Sequence, residues 1–580
     1  MTNFQGHPAR SAPWTQDGPR LPTTRTGAGA AAANGASTAA TGSRKRRLVG
    51  VDAARGLALI GMISIHIMPS WDPVTFEPSA QWTVFAGRSA ALFALLAGVG
   101  LAFSTGGRSF FGQPRMLANL FSVELWERFS FYGMQGIVLL YMYFATTEGG
   151  LGIDRATAAG IVGAYGGAVY LFAILGGWVA DRLLGSERTM FLSGVLIMAG
   201  HVSLALIPAV AGLTIGLVLI AIGSGGLKAT ITNLVGALYD RQDPRRDAGF
   251  SIFYMGVNIG GLLGPLLTGF AQKTWGFHLG FGLAAVGMAF GLAQYALGRR
   301  RLPAEVHHVP NPLPREQYGK WAGIAAAAIA VVVAAALTGV LNAANLADVV
   351  VGVIVVAAVA LFVLLLTSKK VDDDERSRVR AFIPLFIGSA AFWALFQQQF
   401  TVITIYSDTR LDRALGDWTM PISWVQSFNP FFIILLAPVF AVLWTKLGDR
   451  QPGTPTKFGL GIVLMGSAFL IFLPMVGVSS VPVLWAALIL LVATLGELMV
   501  SPVGLSLSTR LAPRAYPVLM VALFYLSVAL GTALSGALAG YYSEQTEAAY
   551  FGILGAVTIV VGAALLVLSP WIRRMMRGVR

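Results

Sequence analysis

The chain has 580 residues, 56% of them hydrophobic and 12% charged, with a mean hydropathy of +0.69, which excludes an ordinary water-soluble domain and implies a polytopic membrane protein. It contains no cysteine, so disulfides, thiolate metal sites and cysteine nucleophiles are excluded. The net charge of +14 would suit nucleic acid, but its placement along the chain points elsewhere.

Residues 1–43, rich in Ala, Gly, Thr, Ser and Pro without apolar periodicity, read as a disordered tail. The basic run Arg44 to Arg47 precedes two apolar segments, Val49 to Trp71 and Phe85 to Ser104. Hydropathy then predicts six membrane helices near 116–145, 156–184, 189–208, 212–239, 248–273 and 277–298. A Pro- and His-containing linker, Leu302 to Pro314, leads to two Ala/Val-rich helices near 319–341 and 346–368, which carry almost no polar residue and read as a lipid-facing spacer. Beyond the charged run "KKVDDDERSRVR" come six more, near 379–406, 420–446, 457–475, 481–510, 516–542 and 549–570.

The expected domains are therefore the tail (1–43), an extra helical pair (44–107), a first six-helix bundle (108–301), a linker with two inserted helices (302–378) and a second bundle (379–580). This all-α membrane architecture fits the pseudo-symmetric halves of the major facilitator fold, in which a substrate binds near the bilayer midplane between the halves. Basic clusters at Arg44 to Arg47, Arg182 and Arg188, Arg241 to Arg246, Arg299 to Arg301, Lys369 to Arg380, Lys446 to Lys457 and Arg573 to Arg580 all fall in alternate loops. By the positive-inside rule that side is cytoplasmic, with both termini on it; a bacterial plasma membrane is the expected location. The basic excess thus encodes topology, and no nucleic-acid partner is expected.

The first long helix carries "ELWERFSFYG", in which Glu124, Glu127, Arg128, Phe131 and Tyr132 share one helical face. A charge at the centre of a membrane helix costs about 2.5–3.5 kcal/mol on insertion scales, so this face looks into protein or a cavity. Lys228, in "GSGGLKATITN", and Glu497, in "TLGELMVSP", have no opposite charge within four residues. Cations in the first half and an acid in the second suit a zwitterion. Carboxyls beside a guanidinium that gain and lose their partner can take up and release protons. A Glu/Arg pair locking two helices is the structural alternative.

With these residues on the page, the chain resembles the proton-dependent oligopeptide transporter family, a branch of the major facilitator superfamily, over about residues 109–575. Its first-helix pattern E-x-x-E-R-F-x-Y-Y-G appears as "ELWERFSFYG", with Phe131 in place of one tyrosine. "GGWVADRLLGSERT", "DAGFSIFYMGVNIGGLLGPLLTG" and "GELMVSPVGLSLSTRLAP" resemble its second-, fifth- and tenth-helix segments. The resemblance implies a proton-coupled symporter for di- and tripeptides, working by alternating access with the proton as coupling ion and no other cofactor or metal. It implies proton coupling at Glu124, Glu127, Arg128 and Lys228. Substrate contacts would come from Arg128, Tyr132, Tyr170, Lys228, Asn258, Trp393, Asn429 and Glu497, and gating from Asp181, Arg182 and Arg188. Where relatives carry a gating Arg/Glu pair this chain has Gln135 and Gln397, which would replace it by an amide hydrogen bond. No obligatory protein partner is expected.

Residues 47–105, with Asp52, Arg55 and His66 in or beside the first apolar segment, resemble the start of a membrane acyltransferase-like family related to heparan acetyltransferases. Two helices of a larger fold would not complete such a site, so an accessory pair is expected; a membrane acyltransferase remains the competing class, and a peptide sensor with a transporter fold a third. His307 and His308 lack further ligands at metal spacing and read as a surface loop.

Overall fold

The computed structural model of the protein describes residues 109–240 and 243–579. The expected tail and N-terminal helical pair fall on residues outside this range. The first half is built from α1 (Arg115–Tyr143), α2 (Arg155–Val179), α3 (Ser186–Leu206), α4 (Ala209–Gly236), α5 (Arg246–Trp275) and α6 (Phe277–Gly298). The inserted helices are α7 (Tyr318–Leu337) and α8 (Leu346–Thr367). The second half comprises α9 (Asp373–Phe396), the short α10 (Val402–Thr409), α11 (Phe428–Leu447), α12 (Thr454–Leu470), α13 (Val483–Arg510), α14 (Pro517–Ala539) and α15 (Glu547–Met575).

Among the described residues thirteen helical segments are long and apolar enough to cross a membrane. The 29-residue α1 is long enough as well, but its charged stripe sets it apart; Glu124, Glu127 and Arg128 are all buried, so the stripe faces protein. Strands are confined to two-residue pairings in loops among the described residues.

Helix starts follow local chemistry. Asp154 caps α2 by accepting from Thr157 N at 3.0 Å. Asp372 and Glu375 form a reciprocal capping box, so α9 starts at Asp373, within the charged run and before the expected 379. The segment expected as one helix over 379–406 breaks at Gln397–Phe400, a tight 3-10 turn, before α10. A second 3-10 turn, Ile422–Ser427, occupies the start of the helix expected from 420.

Within the first half α1 packs on α5 and α6, and α3 on α4; within the second, α12 packs on α13 and α15. The halves meet along α2 and α14, where backbones come close enough that a Cβ on Gly163 would lie 2.5 Å from Gly536 Cα. Among the described residues five side-chain hydrogen bonds join the halves away from the basic loops. Tyr143 Oη donates to Asp408 (2.8 Å), Ser423 Oγ to Pro265 O (2.9 Å), Trp424 Nε1 to Leu266 O (2.9 Å) and Ser427 Oγ to Leu262 O (3.0 Å). The fifth runs from Lys273 Nζ to Thr419 O. The two described halves are closed against each other on the face opposite their basic loops.

The spacer reading holds for one inserted helix only. No residue of α7 is buried. Helix α8, by contrast, buries Ala347, Ile354, Ala358 and Leu365 and packs on α14 of the second half and α2 of the first, covering their seam. Ala347 and Val350 lie against Gly160 and Gly167, small residues that let α8 approach α2.

The linker is strapped to the first half. Asn311 N donates to Asp181 O (3.0 Å) and Leu313 N to Arg182 O (2.9 Å), while Asn311 Nδ2 donates to both Asp181 carboxylate oxygens. Glu187 is 1% exposed, with Arg299 Nε at 2.6 Å and His307 Nδ1 at 3.5 Å. His307 is thus half-buried against an acid, where a free surface loop was expected.

Candidate functional site

Helical periodicity turns Glu124, Glu127 and Arg128 of α1 inward together, and Arg128 Nε lies 2.7 Å from Glu124 Oε1 and 3.2 Å from Glu127 Oε2. One guanidinium therefore holds two buried carboxylates of its own helix. The pairing is not complete: Glu124 Oε2 is buried without a hydrogen-bond partner, and Glu127 Oε1 accepts from Ser224 Oγ of α4 at 3.3 Å.

Ser224 lies one turn before Lys228. Lys228 makes no salt bridge among the described residues; its ammonium sits 5.5 Å from the Phe131 ring centroid and 4.9 Å from that of Tyr170. The Arg128 guanidinium is 6.0 Å from the same Phe131 ring, so Phe131, where the family pattern has tyrosine, supplies an aromatic face between the two cations.

From here the groups continue into the second half. Tyr170 stacks on Tyr525 of α14 with centroids 6.2 Å apart, and Tyr132 stacks on Phe400 at 6.0 Å. Gly261 of α5 fits between Tyr132 and Pro430, since a Cβ there would meet both at 3.3–3.6 Å. Next to Pro430, Asn429 Nδ2 donates to Glu497 Oε2 (2.9 Å) and Thr494 Oγ1 (3.0 Å). Glu497 has no salt bridge among the described residues, leaving a lone carboxylate opposite two cations held in the first half.

Other expected positions stand differently. Trp393 is buried in α9 with its rings edge-on to Phe392 and Phe396, and its indole N–H has no partner. Asn258 donates to Tyr254 O of its own helix at 2.9 Å. The expected amide hydrogen bond between Gln135 and Gln397 is not made: Gln135 Oε1 is buried without a partner, and Gln397 lies in the 3-10 turn that ends α9. Asp181 and Arg182 hold the linker, and Arg188 is exposed. Ser224, Thr494, Tyr525 and Phe400 join the site from outside the sequence-based set.

This arrangement can bind a small molecule carrying opposite charges at its two ends, and its buried carboxylates can exchange protons with solvent that enters between the halves. No group of His, Asp and Glu able to hold a metal ion occurs among the described residues.

Residues 187–560 match the POT family, and residues 47–145 match the catalytic region of heparan-alpha-glucosaminide N-acetyltransferase. Residues 109–145 of the latter match are described and hold α1; its remaining residues lie outside the described range. An uncharacterised transporter of Bacillus subtilis is 46% identical over 477 residues, 81% of this chain and 97% of that protein. A di-/tripeptide transporter of Lactococcus lactis subsp. cremoris is 43% identical over 496 residues, 82% of this chain and 98% of that protein. Among solved structures, a peptide transporter POT in complex with sulfate superposes with a TM-score of 0.79 at 43% identity, covering 83% of this chain and 99% of that one. A POT family transporter in complex with 5-aminolevulinic acid gives 0.76 at 40% identity, covering 80% and 98%. The chain, a multi-pass membrane transporter with the major facilitator fold, belongs to the POT family.

Proposed function

We propose that this protein is a symporter that uses proton entry to import di- and tripeptides. The observation that carries this reading is the division of unpaired charge across the halves. Lys228, without a salt bridge among the described residues, stands near Arg128 on one side, both facing the Phe131 ring, and Glu497, which accepts from Asn429, stands on the other. A peptide carboxylate meets the cations and its ammonium meets Glu497. Relatives described as di-/tripeptide transporters support the same substrate class.

The basic loops face the cytoplasm, and both chain termini lie on that side. With the far face shut by α2, α14 and the five hydrogen bonds, the site opens to the cytoplasm in this state. Opening outward requires those contacts to part while the basic ends close. Protonation of Glu127 removes one of the two carboxylates on Arg128 and leaves that guanidinium, with the already unpaired Lys228, for the substrate carboxylate. Proton release to the cytoplasm restores the ion pair and expels the peptide. Peptide and proton are the only ligands this cycle requires, and no protein partner or other cofactor enters it.

Uptake of labelled dialanine into liposomes holding the purified protein, with and without an inward proton gradient, tests the reading. Accumulation above the outside concentration only with the gradient is the expected result. Equal uptake in both cases would remove proton coupling, and no uptake by folded protein would remove the substrate class.

A further inference from the structure

A cavity of about 300 Å³ opens at the far end of the seam between the halves, on the face that is closed, and no step of the proposed cycle uses it. Its volume is at the lower end of the range of small-molecule pockets, about 300–1,000 Å³. Arg155 and Ala156, at the start of α2, form one wall; Thr409, Tyr542, Ser543 and Glu544 of the second half form the other. Ile405 and Ala539 supply apolar lining.

Two features distinguish this pocket from a surface dent. Its charges are opposed and unpaired: among the described residues neither Arg155 nor Glu544 makes a salt bridge. The neighbouring Asp154 already accepts from Thr157 N. Arg155 is held in place by the Tyr143 ring, 5.3 Å from its guanidinium carbon, and the Tyr143 hydroxyl donates to Asp408 across the closed gate. The second feature is the apolar lining from Ile405 and Ala539, which weakens the solvent screening of those charges. A cation on one half and a carboxylate on the other, on the walls of one partly apolar cavity, are complementary to a compact zwitterion.

We infer that this pocket is a second, state-dependent site for a small zwitterion of dipeptide size, with the ligand carboxylate on Arg155 and its ammonium on Glu544. The two walls belong to different halves, so the site exists only while the far face is closed. A ligand that binds one state alone shifts the population toward it. Outside zwitterion at high concentration therefore holds the carrier shut on that face and slows its return. Both charges are exposed, which makes the site weak and salt-sensitive. The physiological meaning of this brake rests on the import reading, but the site itself does not.

The absence of cysteine allows a direct test that needs no transport. Spin labels at Thr147→Cys and Ser480→Cys, exposed positions on the two halves at this face, report the opening distance in nanodiscs. Added dialanine should raise the ratio of short to long distances at least ~3-fold. The neutral N-acetyl-alanine amide should not, and salt near 1 M, where the Debye length is about 3 Å, should abolish the shift. Arg155→Gln and Glu544→Gln should each remove the response, and the exchange Arg155→Glu with Glu544→Arg should restore it. An equal shift in the parent and both single variants would assign it to the central site and overturn the inference, as would no shift in the parent.

Discussion

Asn429 Nδ2 donates to Glu497 Oε2 across 2.9 Å and to Thr494 Oγ1 across 3.0 Å, so one amide, itself steadied by Thr494, holds the lone acid of the second half in position. A carboxyl held by a neutral amide is left without a counter-charge, a place an incoming ammonium can fill. Glu497→Ala should weaken peptides with a free amino terminus by about 2–3 kcal/mol, roughly 30- to 150-fold, while N-acetylated peptides change little. Competition against labelled dialanine uptake measures both; equal losses for the two peptide classes would contradict the assignment. Asn429→Ala should reproduce part of the effect by releasing the carboxylate from its place.

Glu127 is bound by Arg128 and Ser224 at once, contacts that a neutral side chain keeps only in part. Glu127→Gln is a permanent mimic of the protonated acid. It should abolish proton-driven accumulation, yet retain exchange of labelled for unlabelled peptide, because exchange needs binding and reorientation but no net proton movement. Lys228→Ala should lower both activities. Concentrative uptake by Glu127→Gln at the parent rate would exclude this carboxyl as the coupling group.

Much of this site was legible because charge in a membrane helix is costly and therefore informative: Glu124, Glu127, Arg128, Lys228 and Glu497 all announce themselves against apolar surroundings. Ser224 was within reach of the same logic, since it precedes Lys228 by one helical turn and shares its face. Tyr525 and Phe400 were not, because an aromatic in an apolar helix packs as readily as it lines a site, and their partners Tyr170 and Tyr132 come from the other half. The break after Phe396 carries neither glycine nor proline, so no local signal marks it. Helix α8 hides its packing face in another way: Ala347, Ile354, Ala358 and Leu365 repeat at heptad-like spacing, but the residues around them are equally apolar. The strap of the linker was invisible for the opposite reason, since its contacts are aperiodic backbone and amide bonds from Asn311 and Leu313.

That strap supplies a stability prediction. Glu187 is buried between Arg299, Tyr295 and His307, with Tyr295 Oη donating at 3.3 Å and Arg299 Nη2 at 2.9 Å. Glu187→Ala leaves these donors facing an uncharged gap, at a cost of about 1.5–3 kcal/mol. Thermal unfolding in detergent should therefore shift down, and protease cleavage between residues 302 and 314 should accelerate. Glu187→Gln should fall between parent and Ala, since it keeps one acceptor. If cleavage is unchanged in Glu187→Ala, the linker is held by Asp181 and Arg182 alone.

A tight backbone approach of the two halves yields the sharpest conformational prediction. A Cβ on Gly163 would lie 2.5 Å from Gly536 Cα and 2.6 Å from Gly536 N, and neither backbone atom can turn aside as a side chain would. Gly163→Leu thus forbids the contact of α2 with α14 that shuts the far face, while leaving each half folded, because the clash lies wholly between halves. The population should move toward the state open on that face. In the cysteine-free chain, a single cysteine at Tyr525, whose ring meets Tyr170 between the halves, should react faster with an impermeant thiol reagent added from the far side in Gly163→Leu than in the parent. Peptide binding from that side should survive, and net uptake should fall at least ~10-fold, since a carrier that cannot close cannot complete its cycle. Unaltered labelling together with normal uptake would mean that α2 and α14 do not form the outer gate, and the closure would then rest on Tyr143, Asp408 and the α5 contacts.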